Sequence, residues 1–199
     1  VVDRPDELAF EGGRLVAAAD TESYRRYADT ASGVSPMAIP GTRGVAYTAD
    51  GLEHNERGIP SSQATDHRRQ LDKRLRKLEG ADYGARWADL EGEGDLVVVT
   101  LGSATGPVRE AIARAAADGV QARLVSVRLV APARPAVFDA ALAGARRVLV
   151  VEQNHGAQFH RFLRAHYDLP GEVRSLCHPG PLPIRPAEVH RTIVEWSRA

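Results

Sequence analysis

Gly51-Leu52-Glu53-His54-Asn55-Glu56-Arg57-Gly58 sets five ionisable or amide side chains side by side between glycines. A carboxylate beside an imidazole can move a proton, so Glu53, His54 and Glu56 form a candidate acid–base set. The same residue types ligate metals. Spacings of one and two match no standard zinc arrangement, so no metal is expected. The competing reading is a hydrogen-bonded loop, with Asn55 and Arg57 in its network, that ties this segment to the main domain or to a partner chain. That reading is adopted.

Two further clusters lie near the ends of expected strands. Gly102-Ser103-Ala104-Thr105-Gly106 precedes a helix, whose free amides can meet an anion. It is neither a dinucleotide fingerprint nor a P-loop. The plainer reading is a tight turn with Ser103 or Thr105 as helix cap. Glu152-Gln153-Asn154-His155-Gly156 puts Glu152, Asn154 and His155 on a strand's carboxyl rim, where open α/β sheets bind ligands. Its competitor is capping of the helix at Gln158. His160 and His166 are six apart and share no face. Cys177 reads as core rather than nucleophile. No Gly-x-Ser-x-Gly, Cys-x-x-Cys or nucleophile–base pair is present, so no catalytic residue is assigned.

The elements that position these residues differ in texture along the chain. Residues 1–94 read as an extension and linker: a helix from Thr21 to Tyr27, loops from Ala31 to Thr65, and a basic helix from Asp66 to Glu79. Leu71, Leu75 and Leu78 make one apolar stripe on that last helix. Gly80 to Gly94 reads as a linker pinned by Tyr83 and Trp87. From Asp95 to Ala199, strand and helix alternate. Strands are expected at Leu96–Leu101, Arg123–Leu129, Arg147–Glu152 and Val173–Cys177. Helices are expected at Pro107–Asp118, Pro135–Leu142, Gln158–His166 and Pro186–Trp196, with Val108, Ile112, Ala115 and Ala116 as the buried stripe of the first. The predicted fold is α/β: a three-layer α/β/α domain on a mainly parallel sheet, behind an irregular helical extension.

Composition narrows the function. The 199 residues carry 26 basic and 26 acidic side chains, so no bulk charge directs the chain to nucleic acid or to a membrane surface. His67 to Lys77 is basic but lacks stacking aromatics and is diluted by Asp66, Asp72 and Glu79. No run reaches the length of a membrane span. The single cysteine excludes an internal disulfide and an iron–sulfur cluster, and fits a cytoplasmic chain. Val1-Val2-Asp3 shows no signal pattern and reads as cut from something longer.

Gly33-Val34-Ser35-Pro36, then Pro40-Gly41, then Gly51 to Glu56, then His67 to Lys77 resembles the α subunits of 2-oxoacid:ferredoxin oxidoreductases. Those carry Gly-Val-Ser-Pro, a Pro-Gly turn, Gly-x-Glu-His-x-Glu and a helix rich in His, Lys and Arg. The segment around Val151, Glu152 and Asn154 is similar to one in the same subunits, in a domain like the transketolase C-terminal domain, where it serves packing and subunit contacts. The resemblance is to the 2-oxoglutarate type. It implies oxidative decarboxylation of a 2-oxoacid on thiamine diphosphate, reduction of ferredoxin and acyl transfer to coenzyme A. Thiamine diphosphate, magnesium and the iron–sulfur cluster are implied in the partner β subunit and none in this chain. The Tyr-Pro-Ile-Thr-Pro element of such subunits is absent, and so is the acidic residue that activates the cofactor. Residues before Gly33 therefore read as the tail of a pyrimidine-binding domain. The expected role is structural, in subunit assembly, with the isolated chain inactive. The alternatives are a stand-alone phosphate- or nucleotide-binding module, or a pyruvate or branched-chain member of the family. A homodimer stays open, with Phe159, Tyr167 and Trp196 as candidate exposed contacts.

Overall fold

The computed structural model describes residues 22–199 and divides into two compact units, Val1–Asp82 and Tyr83–Ala199. The second holds a five-stranded sheet of β1 (Ala88–Glu91), β2 (Leu96–Leu101), β3 (Arg123–Val127), β4 (Arg147–Glu152) and β5 (Glu172–Cys177). Their order across the sheet is β1-β3-β2-β4-β5, with β1 antiparallel to β3 and every other pair parallel. Central β2 and β4 are apolar runs because both faces are covered. Odd residues such as Val97, Val99 and Val125 meet α3 (Pro135–Leu142) and α4 (Gln158–His166) through Phe138, Leu142, Phe159 and Leu163. Leu96, Val98, Leu124 and Leu149 meet α2 (Thr105–Ala117) and α5 (Pro186–Ser197) through Val108, Ala111, Val189 and Ile193. Each fully buried Val or Leu contributes roughly 1.5–3 kcal/mol over an exposed one. The three-layer fold is the one expected from the alternation of strands and helices.

The chain runs from β2 outward to β3, crosses back over β2 to β4, and continues to β5. The direction reverses between β2 and β4, so a crevice opens beyond their carboxyl ends.

Several expectations are corrected. The stretch read as linker contains β1, an edge strand whose apolar anchors are Trp87 and Ala88, while Leu90 is exposed. So short a strand, polar on its open side, has no apolar run to announce it. β3 ends at Val127, because Arg128 N and Leu129 N both donate to Trp87 O. In α2, Ala111 takes the buried place assigned to Ala116, which is exposed. Phe159, Tyr167 and Trp196 are all buried, so none offers the exposed contact expected of it. Cys177 lies half-buried on an edge strand, its sulfur 3.3 Å from Ser175 Oγ, rather than in the core.

The first unit is built differently. Its regular element is α1 (Ala64–Glu79), preceded by turns and loops. Of the helix expected at 21–27, Thr21 lies outside the described residues and Glu22 to Tyr27 form turns. Tyr27 N donates to Glu56 O at 3.1 Å, a tertiary partner that replaces the helical one. Gly33, at φ +74°, lies against α1, where a Cβ would stand 2.5 Å from Lys73 O. The buried residues of α1 are Gln70 and Lys73, and the leucine stripe stands exposed.

Candidate functional site

Two constellations emerge, one in each unit. In the first, Glu53 Oε2 lies 2.9 Å from His67 Nδ1 and accepts a 2.8 Å bond from Arg74 Nη2, while Arg74 Nη1 reaches Oε1. Arg74, first, and His67 pull the Glu53 pKa down to about 2 against the opposing effect of burial. A carboxylate held so acidic is a weak base near neutral pH. His54 is buried, its ring stacked 4.9 Å from that of Tyr27. Its Nε2 lies 3.2 Å from Asp50 Oδ1, an ion-pair approach without hydrogen-bond geometry.

Asn55 Oδ1 accepts from Arg57 N and Ile59 N, closing an Asx turn. Glu56 accepts from Arg69 Nη1 and from Asp29 N. Beneath the loop, Lys73 Nζ donates to Tyr27 O at 3.0 Å and to Ser35 Oγ at 2.9 Å, and Gln70 Nε2 donates to the same carbonyl. Burial, then the neighbouring Arg74, lowers the Lys73 pKa. The loop is thus bonded within its own unit to α1 and to residues 27–35. Among the described residues, no group of three His, Cys, Asp or Glu side chains can hold a metal ion.

The second constellation is the crevice at the strand-order reversal. It encloses about 240 Å³ and is lined by Leu101 to Ala104 after β2 and by Glu152 to Asn154 after β4. Glu152 is buried yet fully engaged. Oε2 accepts from Phe159 N at 2.6 Å and from Asn154 Nδ2, and Oε1 accepts from His160 N at 3.1 Å. The carboxylate therefore caps α4, whose first-turn amides favour a negative charge there. Asn154 Oδ1 accepts from Gln158 N, and Gln153 bonds Leu182 O and Ile184 N. A carboxylate in the wall disfavours a phosphate inside.

Ser103, Glu152 and Asn154 come together here, and Thr105 and His155 do not line the crevice. The expected Ser103 or Thr105 cap is not made: Thr105 Oγ1 lies 2.7 Å from Ser126 Oγ on β3, and Thr105 N bonds Gly102 O in a tight turn. Sequence reasoning missed Gln153, which lines the crevice. Beyond the sulfur of Cys177, the His178 ring nitrogens approach Leu182 O and Glu188, so they are not directed at the thiol. The one available signal was the run of polar residues closing β4.

Residues 86–193, more than half of the chain, match the family described as Transketolase, C-terminal domain. The chain is 32% identical over 167 residues to the α subunit of 2-oxoacid:ferredoxin oxidoreductase 2 of Aeropyrum pernix, covering 81% of this chain and 26% of that one. It is 31% identical over 170 residues to 2-oxoglutarate oxidoreductase subunit KorA of Mycobacterium tuberculosis, covering 82% and 25%. It also superposes, with a TM-score of 0.69 and 32% identity, on a 2-oxoglutarate:ferredoxin oxidoreductase from Magnetococcus marinus solved with 2-oxoglutarate, coenzyme A and succinyl-CoA bound. That match covers 86% of this chain and 30% of the other. The chain spans about a quarter of the length of these curated relatives. No described helix is long and apolar enough to cross a membrane. The chain belongs to the transketolase C-terminal domain family, and its homologues include α subunits of 2-oxoacid:ferredoxin oxidoreductases.

Proposed function

We propose that this chain is the C-terminal portion of the α subunit of a 2-oxoglutarate:ferredoxin oxidoreductase and that its role is subunit assembly. The observation that carries the reading is the superposition on the Magnetococcus marinus enzyme over 86% of this chain. The M. tuberculosis relative supports the 2-oxoglutarate type. A single cysteine does not fit a cluster site. In this reading thiamine diphosphate, magnesium and the iron–sulfur cluster are assigned to a β subunit, which meets the 2-oxoacid, coenzyme A and ferredoxin in the whole enzyme. In this chain the polar groups of both constellations hold structure: Glu152 bonds the first-turn amides of α4, and Glu53 bonds the Arg74 and His67 side chains of α1.

The test mixes the chain with 2-oxoglutarate, coenzyme A, thiamine diphosphate and a viologen. No reduction is expected from this chain alone, and reduction without added β subunit sinks the assembly role. The competing binding module predicts micromolar affinity for coenzyme A, ADP or thiamine diphosphate in calorimetry. The carboxylate of Glu152 in the crevice wall counts against that outcome.

A further inference from the structure

The crevice beyond β2 and β4 carries one ionisable side chain in its lining, Glu152, and no Lys, Arg or His. Glu152 is 2% exposed. Both of its oxygens accept bonds from N–H groups, the pattern of an ionised carboxylate. All three donors are amides, so none cancels the charge. The start of α4 offsets about half an elementary charge. Buried charges are ordinarily paired, yet Glu152 has no charged partner among the described residues. A net negative field is left in a cleft with apolar walls at Leu101 and Ala104, where it is focused rather than screened.

Acceptors surround that charge. A carboxylate offers about four acceptor sites, and Oε1 carries one donor, His160 N. Ser103, exposed in the same lining, makes no side-chain hydrogen bond among the described residues. Gln153 meets Leu182 O and Ile184 N at 3.4 and 3.5 Å, beyond the usual range, so its amide is loosely held. An ammonium group brings three donors and no acceptor, and a guanidinium brings five. Either satisfies spare acceptors beside a carboxylate. An anion meets the reverse. The residues ahead of α2 that could receive it, Gly102 and Ser103, are exposed, where solvent weakens a helix-end field, and Glu152 repels it. The crevice, about 240 Å³, holds a small group with a short stem.

We infer that this crevice is a binding site for a small organic cation, an ammonium or guanidinium group on a short apolar stem, with the Glu152 carboxylate as its anchor. The inference stands on the crevice alone and goes beyond the α-subunit reading, which gives these polar groups no ligand.

The test titrates the 199-residue chain, labelled with ¹⁵N, with methylguanidinium chloride at constant ionic strength. Ethylammonium runs in parallel, with methylurea as the uncharged counterpart and acetate as the anion. The site predicts saturable shifts of the Ser103, Gln153 and Asn154 amide signals by one or both cations, with Kd of about 1–10 mM for probes of so few atoms. Glu152→Gln is expected to weaken binding about tenfold or more. That variant also touches the cap of α4, so Gln153→Lys serves as a second. Gln153 is exposed in the crevice wall, and a tethered cation there is expected to abolish the probe shifts without lowering the melting temperature. Equal shifts from methylurea, tighter binding of acetate, no saturation by about 100 mM, or shifts that survive Gln153→Lys overturn the site. An arginine side chain of another protein carries the same group. A capped Ala-Arg-Ala peptide that binds more than about tenfold tighter than methylguanidinium overturns the small ligand in favour of that source.

Discussion

The two units of this chain solve the problem of order by opposite means. Residues 83–199 bury Val97, Val98, Val99, Leu149 and Val150 to within 1% of full burial, and Glu152 is their one buried charged side chain. Residues 22–82 bury His54, Gln70 and Lys73 and leave leucine outside. A sheet with helices on both faces gains from area removed from water, which is non-directional and tolerant of small shifts. A loop held by Glu53, Glu56, Asn55 and Lys73 gains from a closed set of directional bonds, which fails when one partner is lost. The first design suits a scaffold. The second suits a unit whose described residues bury little apolar side chain.

The largest effect that separates the two designs is expected in the sheet. Leu149→Ala, at the centre of β4 with no exposed surface, is expected to cost about 2–5 kcal/mol. Urea denaturation followed by the fluorescence of Trp87 and Trp196 measures it. A smaller loss comes where the sheet unit itself uses a polar device. Glu152→Ala strips acceptors from Phe159 N, His160 N and Asn154 Nδ2. It is expected to cost about 2 kcal/mol, with hydrogen exchange of the first turn of α4 accelerating beyond that of β4.

Acid acts on the other design. The folded pKa of Glu53 lies at about 2, below its ordinary 4.5, chiefly because of Arg74. A depressed carboxylate pKa contributes stability that is present above the unfolded value and lost as pH falls through the folded one. The window runs from pH 4.5 down to 2. Solvent screening limits the loss to about 1 kcal/mol, and Glu53→Gln is expected to flatten the pH profile over that range. The smallest effect is expected from Leu75→Lys in the chain alone, within about 0.5 kcal/mol. A loss several times larger would mean that the leucine stripe belongs to this chain's own core, and the contrast between the units would collapse.

The contrast also explains what was legible in the sequence. α3, α4 and β4 were readable to their end residues because apolar periodicity reports burial directly. β1 was not, since an edge strand of Ala-Asp-Leu-Glu carries one buried residue. The loop at Glu53 was readable as polar and ordered, but its partners were not. Arg74 is 21 residues away and Lys73 reaches back 46 residues to Tyr27. Pairings of that range leave no local periodicity. The helix expected at 21–27 failed for the same reason, as Glu56 O captures Tyr27 N. At the crevice the sequence marked the place but not the chemistry. Glu152 reads as a helix cap sooner than as a ligand contact, and the amides of Phe159 and His160 on its carboxylate make the cap visible.

Native-state hydrogen exchange on the intact chain, compared between pH 7 and pH 2.5, tests the difference between the units most directly. The account predicts that amides of Gln70 to Leu78 in α1 lose protection as the stability linked to the Glu53 carboxylate falls away, while those of Val97–Val99 and Val148–Val151 keep theirs after correction for intrinsic rates. Equal loss in both sets, or an α1 indifferent to acid, would contradict it.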